Sequence, residues 1–525
     1  MILLLLFLYF SIINSDKIKG VNLGSLFVLE PYINPSLFYQ FLGLNDRVVG
    51  DTYNFCDYLG PKEANRQLRI HWEIWVNEEK LNKIKKLGIN TVRIPVGDWM
   101  FIPYEVYNKE ENGIKCFDGS LEYLDRIMNH ISSLNMNVII DLHGVKDSQN
   151  GYDNSGLAKN LVLKKKDNIL YFSHWNTRKA DWIGDFNITT KTYNNINYDN
   201  IYFTLNVLKN IIERYKNFKS FWGLEPINEP WEYTPLDILK SFYRDVYEIF
   251  INKVDNSKVL IFHDSFRPSN WTNYYFLEKF QKPKVKIYLD THQYMAWGSP
   301  ISFDKYLDGA NKWKQPYTIF DIIVGEFSLA TDNCAMWLNG FMDNYPGFPK
   351  QDCYYDDCPY KDMFLDKIKN SINGPFGKGS SYPTLDGKCP NTIPIYLNKN
   401  ISLDDDIIKN SENYNVNDKE KFYATTLFQK LTESYEKNSA GWIFWNFDTE
   451  SSSYQWSYIK INDKGYMNYY EKNNLKLILV LISTVILLIL LAIIIIIFFK
   501  KNNKNLGYSI VTENENYGSI ETIRV

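Results

Sequence analysis

Between about residues 16 and 471, short apolar runs alternate with stretches of helical periodicity. Eight runs have strand length and are bounded by polar or turn residues: 18–23, 90–94, 138–142, 221–224, 259–263, 285–289, 319–324 and 441–444. Amphipathic segments such as 77–87 and 121–134 lie between them. Strand, helix and strand in repetition predict a parallel sheet. Eight such units in one stretch of this length predict an α/β fold, a (β/α)₈ TIM barrel with loop insertions. A doubly wound sheet would need a glycine-rich phosphate turn after its first strand. The spacing in Gly20-Val21-Asn22-Leu23-Gly24 does not fit one. The stretch 340–418, rich in Asp, Asn, Lys, Gly and Pro, reads as a long loop or cap.

In such a barrel the residues at the C-terminal strand ends face one pocket. Polar residues recur there along this chain: Glu30, Arg93, His143, Asn228-Glu229-Pro230, His263-Asp264, His292, Tyr294, Glu326 and then Trp445. His263 and Asp264 read as a structural pair, and the others as one convergent site. Glu229 and Glu326 follow strands four and seven, near-opposite walls of a barrel. Hydrolysis of a glycosidic bond needs such a pair, one carboxyl to protonate the departing oxygen and one carboxylate at the anomeric carbon. A separation near 5 Å would make the reaction retaining. The acid must hold its proton longer than its partner does, so Glu229 is expected to titrate above Glu326.

Composition narrows the partners. A net charge of -3 gives no reason to expect nucleic acid. Fourteen Trp and 39 Tyr suit a surface that stacks on sugars, although core packing explains most of them. Only Cys353 and Cys358 lie close enough to suggest a metal pair, so neither metal nor other cofactor is expected. Six Cys fit up to three disulfides in an oxidising compartment, with pairing left open. Sequons at Asn187, Asn270 and Asn400 fit the same compartment.

The termini read as addresses. Residues 1–15 resemble a secretory signal peptide, without the usual basic start. Residues 477–499 carry no charge and are long enough for one transmembrane helix. Lys500, Lys501 and Lys504 open a polar tail over 500–525, which excludes a glycolipid-anchor signal. The expected layout is a single-pass type I membrane protein, with domain 16–471 in the secretory pathway or outside the cell.

The stretches 20–38 (GVNLGSLFVLEPYINPSLF), 87–97 (LGINTVRIPVG), 140–156 (IDLHGVKDSQNGYDNSG), 292–294 (HQY), 325–328 (GEFS), 331–340 and 441–445 (GWIFW) carry a resemblance. With Asn228-Glu229-Pro230 they make the chain similar to glycoside hydrolase family 5, and within it to the fungal exo-1,3-β-glucanase branch. The resemblance implies Glu229 as acid/base and Glu326 as nucleophile. It implies that Asn228 bonds the sugar 2-hydroxyl, that Tyr294 holds the nucleophile and that Arg93 keeps it ionised. Glu30, His143 and His292 would line the terminal glucose subsite, with Trp445 as its apolar floor. The implied partner is β-1,3-glucan, with β-1,4-glucan, another β-glucoside or a glycolipid as alternatives, and a silent carbohydrate-binding surface protein as a different class. The family usually has Gly-Gly-Trp where this chain has Gly24-Ser25-Leu26, and Trp at Tyr32 and Phe327. Those changes bear on linkage preference.

Overall fold

The computed structural model describes residues 17–341 and 416–467, apart from 42–43, 103–113, 160, 167–168, 174–178, 273–282, 299–300, 332–334, 336, 339 and 451–453, together with most of 482–497. The chain divides into two units, Met1–Met467 and Asn468–Val525.

In the first unit eight parallel strands close into a barrel. They are β1 (Ile18–Asn22), β2 (Thr91–Gly97), β3 (Asn137–Gly144), β4 (Phe221–Glu225), β5 (Val259–His263), β6 (Lys286–Gln293), β7 (Asp321–Phe327) and β8 (Gly441–Phe444). Each pairs with its chain neighbours, and β1 closes the ring on β8. All eight predicted strands are present. Five run further toward their C-termini than the apolar runs, because backbone pairing continues past them, beneath His143, Glu225, His292 and Glu326 and through Pro95–Gly97.

Seven longer helices lie between them: α1 (Thr52–Trp75) and α2 (Glu78–Lys86) before β2, α3 (Ser120–Ser133) before β3, α4 (Tyr198–Tyr215) before β4, α5 (Leu236–Ile251) before β5, α6 (Phe303–Lys312) before β7 and α7 (Val416–Asn438) before β8. The sequence of α2 shows why it forms. Asn77 caps it by accepting from Lys80 N–H, Glu78 and Glu79 sit in its first turn, and Lys83, Lys85 and Lys86 in its last. Its Leu81 and Ile84, three apart, face the core.

Two apolar layers hold the barrel. Ile18, Ile139, Val259, Ile261, Ile323 and Ile443 fill the interior between strands. Each such side chain contributes about 1.5–3 kcal/mol on leaving water. The larger cluster packs the outer strand faces against the helices. Two antiparallel hairpins sit in the β3–α4 connection: Val162–Lys166 with Ile169–Ser173, and Gly184–Asn187 with Thr192–Ile196. The strands Val162–Lys166 and Thr192–Ile196 are Lys- or Asn-rich, whereas Ile169–Ser173 (ILYFS) is an apolar run that the reading passed over.

Cys56 on α1 is bonded to Cys116, just before α3, with Cα atoms 5.5 Å apart. Cys334, Cys353, Cys358 and Cys389 lie outside the described residues, as do the signal segment 1–15, the tail 500–525 and nearly all of the irregular stretch 340–418. Among the described residues no helix is long and apolar enough to cross a membrane. The span expected at 477–499 lies partly outside them, and within it residues 488–497 are helical.

Candidate active site

Arg93, wholly buried on β2, is the hub of the polar strand ends. Its Nη1 donates to Glu326 Oε1 at 2.9 Å and to Asn22 Oδ1 at 2.9 Å. Its Nη2 donates to Asn228 Oδ1 at 2.8 Å and stands 3.2 Å from Asp141 Oδ2, and its Nε donates to Glu225 Oε2 at 2.7 Å. A planar guanidinium suits this work because its donors point in fixed directions. One side chain therefore ties β1, β2, β3, β4 and β7 to a common geometry.

His143 is set in the same frame. Its Nδ1 is 2.6 Å from Asp141 Oδ2 and its Nε2 is 3.3 Å from Asn228 Nδ2. Its ring stacks on Trp445 at 5.5 Å between centroids, tilted by 10°. Trp445 Nε1 donates to the Tyr32 hydroxyl. Gly24 is needed beside it, since a Cβ there would stand 2.9 Å from the indole ring.

Glu326 and Glu229 meet at His292. Tyr294 Oη donates to Glu326 Oε2 at 2.7 Å, opposite the Arg93 bond to Oε1. His292 Nδ1 lies 2.7 Å from Glu229 Oε1 and 3.4 Å from Glu326 Oε2. These two oxygens are therefore no farther apart than the sum of those distances. Below the ring, Asp290 Oδ2 is 3.3 Å from His292 Nε2, and Asp290 Oδ1 accepts from Gly325 N–H at 2.6 Å. A Cβ at position 325 would fall 2.0 Å from that carboxylate, so only glycine fits beside the nucleophile position. Glu229 has φ +41°, a left-handed backbone that leaves its carboxyl turned into the pocket.

The electrostatics correct one expectation. Burial pushes the Glu229 carboxyl up, but the hydrogen bond and charge of His292, with His263 and His143 behind, outweigh it and hold Glu229 at about 2. Glu326 is raised, by burial first and by Glu229, against the pull of His292 and Arg93. His292 is raised well above its ordinary value: burial opposes its charge, and Glu326, Asp290 and Glu229 win. The expected order of the two glutamates is thus reversed in the free protein. The reason is a third member, His292, whose raised pKa favours its charged form across the 2.7 Å contact with Glu229.

The nine predicted residues Glu30, Arg93, His143, Asn228, Glu229, His292, Tyr294, Glu326 and Trp445 all lie at this end of the barrel, and six of them border one cavity of about 330 Å³. Glu30, Tyr32, Asp153 and Trp445 line its buried part, and Tyr152, Phe266 and Trp297 are also in its wall. Burial raises Glu30 well above its ordinary value, Asp153, Glu326 and Glu229 add to that, and its Oε1 has no partner. Asp153 is pushed up to about 7, chiefly by burial. Asp153 and Asn154 escaped the reading, although they lie inside the motif 140–156.

His263 and Asp264 do not pair. His263 Nδ1 accepts from Ser265 N–H at 2.9 Å and stands 3.9 Å from Asp264, because the backbone turn offers a closer donor. Glu229, His263 and His292 cluster within 4.8 Å; His292 spends its two ring nitrogens on Glu229 and Asp290, and His263 Nδ1 accepts from Ser265 N–H. A larger cavity of about 920 Å³ opens at the other end of the barrel, where polar side chains such as Lys17 and Asn90 serve backbone carbonyls of Ser439 and Lys17.

Comparison with known proteins agrees with this geometry. The family described as Cellulase (glycosyl hydrolase family 5) matches residues 60–336. A glucan 1,3-beta-glucosidase of Schwanniomyces occidentalis is 30% identical over 402 residues, 72% of this chain and 84% of that protein. Glucan 1,3-beta-glucosidase I/II of Saccharomyces cerevisiae is 30% identical over 63% of this chain and 68% of its own length. The solved rutinosidase of Aspergillus niger shares the fold, with a TM-score of 0.52 and 16% identity over 86% of this chain and 98% of that one. Two facing glutamates on a closed eight-stranded barrel and a family match across more than half the chain lead to one assignment: the chain belongs to glycosyl hydrolase family 5 and is a glycoside hydrolase.

Proposed function

We propose that the enzyme is a retaining β-glucosyl hydrolase that releases glucose from the non-reducing end of β-1,3-glucan. The observation that supports the mechanism is that one ring nitrogen of His292 reaches an oxygen of each carboxylate, as suits the closely spaced pair of a retaining enzyme. Glu326 attacks the anomeric carbon, with Arg93 and Tyr294 each holding one of its oxygens. The attack consumes the negative charge of Glu326, the largest of the three carboxylate influences that favour charged His292. His292 then releases its proton to Glu229, which passes it to the departing oxygen. In the second step Glu229 takes a proton from water, which attacks the glycosyl–enzyme ester.

The substrate follows from relatives and pocket together. Proteins named as glucan 1,3-beta-glucosidases match most of this chain. The cavity ends in buried Glu30, Tyr32, Asp153 and Trp445, which suits a single terminal sugar. The unpartnered Glu30 Oε1 there is an acceptor for a sugar hydroxyl. We assign Asn228, whose Oδ1 accepts from Arg93, to the sugar 2-hydroxyl. We place the catalytic unit on the secretory side of a membrane, tethered by the uncharged segment 477–499, and the Cys56–Cys116 disulfide fits that oxidising compartment.

The test is a panel of laminarin, β-1,4-glucan and aryl glucosides given to the purified catalytic unit. Glucose as the first product from laminarin, formed with β configuration, supports the reading. A ladder of longer oligosaccharides or α-glucose overturns it.

A further inference from the structure

The hub of this site holds more acid than its cations balance. Asp141, Glu225, Asp290, Glu229 and Glu326 surround Arg93 and His292, and Arg93 alone touches three of these carboxylates. Buried carboxylates that lack a counter-charge take up a proton instead. The hydrogen bonds indicate which one. Asp141 is bonded by His143 as well as Arg93, Asp290 by Gly325 N–H and His292, and Glu326 by Arg93 and Tyr294. Among the described residues Glu225 has only the Arg93 Nε bond at 2.7 Å; its Oε1 is buried without a partner, as is Asp141 Oδ1, but Asp141 has two cationic or ring partners on its other oxygen. A carboxyl oxygen of Glu225, one of Asp290 and a ring nitrogen of His292 lie within 4.8 Å of one another, so a negative charge on Glu225 would face a second one. Burial raises Glu225 well above its ordinary value, Asp290 and Asp141 add to it, and Arg93 opposes it.

We propose that Glu225 is a positioning residue for the reaction: a neutral acid that fixes the plane of the Arg93 guanidinium through Nε and leaves its charge to Glu326. This rests on Glu326 being the nucleophile. The Nε bond holds one edge of the guanidinium while Nη1 and Nη2 reach Glu326 and Asn228. Without it the plane can turn, and the nucleophile and the sugar-binding amide lose their shared anchor. An ionised Glu225 would hold the plane equally well but would draw off the positive potential that keeps Glu326 ionised.

The experiment compares wild type, Glu225→Ala and Glu225→Gln on an aryl β-glucoside across pH. Glu225→Ala is expected to lose kcat/KM on the order of 10- to 100-fold, mostly in kcat, as an anchoring bond to a charged group is lost. Glu225→Gln, a neutral isostere, is expected to recover all but about threefold, with its acid limb at the wild-type position. An acid limb moved to lower pH in Glu225→Gln would mean that an anion had been removed beside Arg93, and would overturn the proposal. Wild-type kinetics in Glu225→Ala, or failure of Glu225→Gln to fold, would do so too. An infrared difference spectrum at neutral pH adds a direct reading, since wild type minus Glu225→Gln should show one protonated carboxyl band, and its absence refutes the neutral acid. If Glu326→Ala still turns over, the nucleophile assignment falls and takes this inference with it. If Glu326→Ala is inactive while Glu225→Gln shifts the limb, only this inference falls.

Discussion

Because Arg93 and Tyr294 hold Glu326 while His292 holds Glu229, loss of either glutamate is expected to stop a different step. Glu326→Ala should lose turnover on every substrate, and azide in the vacated space should give an α-glycosyl azide. Glu229→Ala should still be glycosylated by an activated aryl glucoside, show a burst, and yield a β-glycosyl azide. The opposite configurations, read by NMR, would exchange the two roles. The pH profile follows from the same neighbours. Glu326 must be ionised, and since its pKa is raised above 4.5, activity should fall as pH drops through a value above 4.5. The Glu229–His292 pair must hold one proton, and since His292 is raised well above 6.5, the alkaline limb should lie above 6.5. An alkaline limb of kcat/KM below 6.5 would contradict the proton store on His292. Part of this network was open to reading in the sequence. Asp141 and Asp290 each precede a site histidine by two residues, and strand periodicity puts both on the histidine's face.

The strands were legible as elements, but their full lengths were not, since the apolar runs stop before His292 and Glu326 while the hydrogen-bonded ladder continues. The register shifts between Thr291 and His292 and between Val324 and Phe327 are also invisible to a pattern of apolar residues. They re-aim the side chains next to the nucleophile. Helix α1 supports the loop that carries Glu30: Trp75 Nε1 donates to Gly24 O at 3.0 Å, and His71 Nε2 lies 2.7 Å from Ser25 O. Burial holds His71 down at about 4. The unfolded chain, at 6.5, therefore binds more protons between those values, so the His71 contribution is complete above 6.5 and is lost as pH falls toward 4. The shift corresponds to roughly 3 kcal/mol at full protonation. Relative to His71→Gln, wild type should lose thermal stability progressively between pH 6.5 and 4. A Tm difference independent of pH would refute a neutral buried His71.

For the whole molecule, the proposed tether predicts an arrangement in cells. Protease added outside should remove the catalytic unit and spare a tag fused after Val525, and loss of the tag with the unit intact would reverse the orientation. The family match and the barrel leave this question open, because it depends on residues 1–15 and 477–499 and not on the site.

The sequence by itself determined the strand count, the barrel and the two glutamates, because period-two apolar runs and polar strand ends are local properties of a chain. Motifs that lie next to those ends also pointed to nine residues that the structure brings to one end of the barrel. Only the tertiary structure decided how the groups of the site shift one another's titration. That depends on the distances from His292 to Glu229, Glu326 and Asp290 across three strands, and on burial that no single segment carries. It likewise decided that His263 turns to Ser265 and that Glu225 is left with one bond, since partners far apart in the chain compete for the same donors only once the barrel has closed.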